Sequence, residues 1–77
     1  MAELGEELRR ERVRRNLTFK DIEQVLHIKT TYLEAIEDGN FAVIPGRVYA
    51  KGFIRNYGNY LGLDGERLVK AYQNQVG

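Results

Sequence analysis

Few residues here have the type and spacing to do covalent or acid–base chemistry. His27 is the sole histidine and there is no cysteine. An imidazole without a second ligand or acid–base partner of the usual kind supports neither a metal site nor catalysis. The carboxylates fall at helix-surface spacing, and the glycines are scattered rather than gathered into a phosphate-cradling loop. Asn16, Leu17 and Thr18 have the form of a glycosylation sequon, but Thr18 is better placed as a helix cap. The expectation is a non-enzymatic protein with no metal and no cofactor. What remains is recognition chemistry, in three groups. Arg9, Arg10, Arg12, Arg14 and Arg15 crowd one short stretch. Asp21, Glu23, Glu34, Glu37 and Asp38 put acid in the middle. Tyr49, Phe53, Tyr57 and Tyr60 recur at helical spacing near the end.

Those residues must be positioned by helices, because apolar and charged residues interleave at a period of 3.6 and no strand-like alternation occurs. At 77 residues the chain is one domain's length, spanning 1–77, and its core is thin: a domain this small buries only about 60% of its unfolded surface. The fold class expected is all-α, a five-helix bundle containing a helix-turn-helix. Helices one to three occupy about 2–39, and helices four and five about 45–74. The first runs from about Ala2 to Arg15, with Leu4 and Leu8 inward, and Asn16 ends it. The second covers Phe19–Leu26. Thr18 is its N-cap and Asp21 completes something close to a capping box; Ile22, Val25 and Leu26 face inward. The third covers Thr30–Asp38 around Leu33 and Ile36, closed by Gly39. Phe41 and Ile44 return a loop to the core. Pro45 suits the first turn of the fourth helix, which Gly62 stops, and Asp64 caps the fifth, with Leu68, Val69 and Tyr72 inward.

Leu17, Thr18, Ile22, Leu26, Ile28, Leu33, Ile36, Glu37 and Gly39 place two short helices around a tight turn. This segment resembles the helix-turn-helix of phage-repressor-like (Xre-type) regulators. The resemblance implies a buried ion pair, Arg12 with Glu37, docking helix one on helix three. It also implies a DNA-reading second helix, for which Lys29, Thr30, Thr31 and Glu34 are the outward candidates. The sequence departs from the repressor pattern where DNA contact matters. Phe19 stands where a phosphate-contacting glutamine is frequent, Glu23 replaces a small residue, and Ala35 offers no contact. Acid at Asp21, Glu34 and Asp38 forfeits part of the phosphate attraction that supplies non-specific affinity. A protein-binding use of the fold and a DNA-binding one both stay open.

On the fourth helix Tyr49, Phe53 and Tyr60 fall within about 40° of one another. Ala50, Ile54, Tyr57 and Leu61 form the adjacent stripe, and Tyr57 is expected to be the more buried. The aromatic edge either packs into the core or meets a partner, aromatics and arginine being the residue types that dominate interface energy. The stretch from Pro45 through Gly52, Arg55, Leu63 and Asp64 to Tyr72 resembles the part C-terminal to the helix-turn-helix in RodZ-type proteins. In that family the domain is cytoplasmic and precedes a basic linker, a membrane span and an outer domain. It binds MreB, the bacterial actin, and links it to the membrane in cell-shape control. The resemblance places Tyr49 and Phe53 against the actin-like filament, with Tyr60 on the same arc and Lys51 and Arg55 alongside, steering toward an acidic surface.

The net charge is only +1, far from the strongly basic balance of many nucleic-acid binders. No apolar run approaches the ~18 residues needed to cross a bilayer, and the acidic start lacks a signal-peptide apolar block. The expectation is a soluble, cytoplasmic piece of a longer membrane-anchored protein, attached to the membrane only through segments this sequence lacks.

Overall fold

Helix boundaries follow the capping chemistry. The computed structural model describes residues 3–76, and the expected start at Ala2 lies outside them. Helix α1 (Glu3–Arg14) opens on glutamates and closes on arginines, the order that suits a helix dipole. It ends where Asn16 takes a left-handed φ of 57°. Helix α2 (Phe19–Leu26) is held by a reciprocal cap: Thr18 Oγ1 accepts from the Asp21 N–H at 3.1 Å, and Asp21 Oδ2 accepts from the Thr18 N–H at 2.9 Å. That backbone hydrogen bond holds the Asp21 carboxyl below its ordinary range. His27 closes α2 at φ 58°. After the three-residue connection His27, Ile28 and Lys29 comes α3 (Thr30–Asp38), closed by Gly39 at φ 74°.

The next segment departs from expectation. A short 3-10 turn, Phe41–Val43, folds back against α3, and Pro45 lies before the fourth helix rather than in its first turn. The chain must reverse through Gly46 at φ 104°, which a residue with a Cβ adopts only with strain, so α4 (Arg47–Tyr60) begins two residues late. Ala35, which offers no contact where the repressor pattern has one, is buried, and its carbonyl accepts from the Asn40 N–H at 2.9 Å. Asp64 caps α5 (Gly65–Val76), its Oδ1 accepting from the N–H groups of Glu66 and Arg67.

Leu8, Ile22, Leu33, Ile36, Ile54 and Leu68 are fully buried and supply one apolar residue or more from each helix. Each such side chain stabilises the fold by about 1.5–3 kcal/mol. Val25 does not join them: it is 53% exposed. A helix of two turns seats on the core through a narrow stripe. Here that stripe runs along Ile22 and Leu26, leaving Val25 about 100° to one side of Leu26. Helices α1 and α3 touch backbone to backbone. A Cβ at Gly5 would stand 2.3 Å from the Glu37 carbonyl oxygen and 2.6 Å from that of Ile36, so only a hydrogen fits between them.

Candidate functional site

Three surfaces or junctions gather the residues singled out in the sequence. The first lies inside. Arg12 Nε donates to Glu37 Oε2 at 2.8 Å and its Nη2 to Oε1 at 3.1 Å, a two-pronged pair joining α1 to α3. Arg12 Nη1 donates to the Leu17 carbonyl at 3.0 Å, tying in the turn before α2. The Glu37 side chain is 3% exposed and that of Arg12 15%. Tyr57, from α4, donates its hydroxyl to Glu37 Oε2. Burial first, and then this donation, push the Tyr57 hydroxyl well above its ordinary range. Hydrogen bonding to Glu37 raises the Arg12 guanidinium further. Phe19 covers the guanidinium, with its ring centroid 4.2 Å from Cζ. The position where a repressor often reaches for phosphate is therefore occupied by a ring closing an internal network.

The second surface is the outward side of α3, where Thr31, Glu34 and Asp38 are exposed. Thr30 is half-buried and Lys29 is exposed at the N-cap. The face a helix-turn-helix turns toward DNA thus carries two carboxylates. Arg9 of α1 lines one depression with Glu34 and Asp38, whereas Arg14 and Arg15, the latter just past the end of α1, both pair with Glu11, at 2.8 and 3.4 Å.

The third surface is α4, and it splits the remaining candidates between two flanks. Tyr49 is 61% exposed and Tyr60 38%. Phe53 is half-buried, 6.2 Å centroid to centroid from Tyr49 and stacked on Tyr32 of α3 at 5.6 Å and 19°. Lys51 and Arg55 are not beside them. They face α5: Arg55 pairs with Glu66, and Lys51 lines a cleft with Tyr72 and Val76. The reason is geometric, since residues two apart on a helix stand about 200° apart.

The helix-turn-helix domain family model matches residues 7–68. The chain belongs to that family. It is 32% identical over 60 residues to the uncharacterized membrane protein YmfM of Bacillus subtilis (strain 168), covering 78% of this chain and 21% of that protein. It is 28% identical over 71 residues to the cytoskeleton protein RodZ of Streptococcus pneumoniae (strain ATCC BAA-255 / R6), covering 92% of this chain and 26% of that one. The chain therefore spans about a fifth to a quarter of the curated relatives it matches, and it is a RodZ-like helix-turn-helix domain. No solved structure matches it. No helix among the described residues is long and apolar enough to cross a membrane.

Two features of this helix-turn-helix domain escaped sequence reasoning. Tyr32 extends the aromatic row from α4 onto α3. Its signal was available, because it lies about 40° from Ile36 on the helix wheel and so at the edge of the buried stripe of α3. The Tyr57–Glu37 hydrogen bond spans twenty residues of chain and had no local signal.

Proposed function

We propose that this helix-turn-helix domain is a docking module for MreB, the bacterial actin-like protein, and the cytoplasmic part of a longer membrane-anchored protein acting in cell-shape control. The contact surface is the aromatic flank of α4, with Tyr49, Phe53 and Tyr60 extended by Tyr32. The observation that carries the proposal is Tyr49, a large side chain left in solvent yet held in place by Phe53, itself backed by Tyr32. A pre-positioned exposed aromatic is the kind of anchor that dominates interface energy, and contiguous exposed apolar surface marks interaction sites. The name of the Streptococcus relative, a cytoskeleton protein, supports a filament as partner. That of the Bacillus relative, a membrane protein, supports the anchored setting.

DNA binding is the second use of the same fold, favoured by the helix-turn-helix itself and by exposed Lys29 and Thr31. Glu34 and Asp38 weigh against it, because phosphate contacts carry most non-specific affinity.

Co-sedimentation with polymerised MreB tests the proposal. The domain is expected to pellet with filaments. A double variant, Tyr49→Ala with Phe53→Ala, is expected to stay in the supernatant while its circular dichroism keeps the helical signal. Since Phe53 is half-buried, Tyr49→Ala alone serves as a second variant and is expected to weaken pelleting without touching the fold. A parent domain that never pellets sinks the proposal, and retardation of duplex DNA at low salt would then favour the second use.

A further inference from the structure

The other flank of α4 carries a different kind of surface. Between the start of α4 and the end of α5 lies a cleft of about 270 Å³, walled by Arg47, Lys51, Tyr72 and Val76. It runs on into a second depression of about 330 Å³, which shares Arg47, Tyr72 and Val76 and is floored by Phe41 and Ile44.

Three independent features point to a ligand. Tyr72 is 97% buried, its ring packed edge-on against Phe41 at 4.9 Å. Among the described residues its hydroxyl makes no hydrogen bond, yet the oxygen is not one of the atoms sealed from solvent without a partner. Tyr72 lines both depressions, so a hydroxyl that solvent reaches and no protein group occupies is available to a ligand there. The second feature is charge. Arg47 and Lys51 line these depressions and no carboxylate side chain does. Arg47 spends one hydrogen bond on the Val76 carbonyl at 3.2 Å, which leaves its other donors available. Third, α4 begins at the same place with no side-chain cap and no acidic residue in its first turn, so its leading N–H groups add positive potential uncompensated by the chain.

We propose that this cleft binds an acidic peptide segment of a protein partner. An apolar side chain of the peptide seats on Phe41 and Ile44. A neighbouring carboxylate meets Lys51 and Arg47 and accepts from the Tyr72 hydroxyl. The volume lies at the low end for binding pockets, which suits one side chain rather than a whole small-molecule ligand. The site is separate from the aromatic flank, so neither proposal depends on the other.

The test is a titration of the isotope-labelled chain, followed by nuclear magnetic resonance, with a blocked hexapeptide alternating aspartate and leucine. A hexapeptide with lysine in place of aspartate and vesicles of anionic phospholipid serve as comparisons. The acidic peptide is expected to move the amide signals of Lys51, Tyr72 and Val76 while the ring signals of Tyr32 and Phe53 stay put. Lys51→Glu is expected to weaken binding at least roughly tenfold, because an attraction to the peptide carboxylate becomes a repulsion. Tyr72→Phe, which keeps the packing, is expected to weaken it several-fold. The proposal is overturned if the lysine peptide binds as well, if the acidic peptide moves the Tyr32 and Phe53 rings instead, or if only vesicles cause shifts. A folded Lys51→Glu variant with unchanged affinity overturns it too.

Discussion

The α1–α3–α4 junction and the outward flank of α4 are built in opposite senses. At the junction a carboxylate, a guanidinium and a phenol are inside. On the flank, two tyrosines are outside. Hydropathy alone would exchange them. The junction tolerates its polar groups because they satisfy one another: Arg12 donates three hydrogen bonds and Glu37 accepts three. No sealed side-chain nitrogen or oxygen among the described residues lacks a partner. A buried pair of this kind fixes geometry more reliably than it adds net stability. The flank makes no such demand on the fold, and what it leaves exposed is available for recognition. The lesson is that in a thin-cored domain the positions that defy hydropathy divide into those that set the architecture and those that use it.

Substitutions can break or sharpen that contrast. Glu37→Ala should have the largest effect, stranding the Arg12 charge and the Tyr57 hydroxyl together. A loss of about 3–5 kcal/mol is expected in urea unfolding, a large share of the roughly 5–15 kcal/mol such a domain has. Tyr57→Phe keeps the ring and the ion pair and removes one charge-assisted hydrogen bond; about 1.5–3 kcal/mol should go. Were it neutral, the network would reduce to the Arg12–Glu37 pair. Tyr49→Ala, on the flank, should change unfolding stability by no more than about 0.5 kcal/mol while impairing filament pelleting. A larger change would move Tyr49 into the architectural class. The smallest effect belongs to the exposed cap of α2. Because the folded Asp21 pKa lies below its ordinary 3.8, its stabilising contribution is present above that value and is lost as pH falls through the lower folded pKa. The Thr18 amide signal should follow that titration, and in Asp21→Asn it should stop doing so.

Much of this was legible from local chemistry. Thr18 with Asp21, Asn16 and Gly39 announced where helices begin and end, since caps act within three or four residues. The bounds of α2 and α3 agree with the sequence to the residue. Val25 misled because a stripe on a two-turn helix has no third turn to fix its centre. Pro45 misled because its preference for a first helical turn yielded to a chain reversal that only Gly46 could make. On α4 the periodicity put Tyr49, Phe53 and Tyr60 on one arc, but setting Lys51 and Arg55 beside them ignored the half-turn between residues two apart. The hydroxyl of Tyr57 and the cleft beside Tyr72 depend on elements twenty or more residues apart meeting in space, which no window along the chain contains.

Gly5 carries a mechanical consequence. Helices that meet through side chains can slide by trading one set of rotamers for another. At Gly5 the approach is backbone on backbone, so a displacement of α1 along α3 has to drive a side chain from the same face, such as that of Leu8 or Arg9, against a carbonyl oxygen. The contact works as a stop rather than a bearing. If the domain is pulled between a filament on α4 and an anchor elsewhere in a longer chain, α1 transmits the load to α3 without slack, and yields by unfolding rather than by creep.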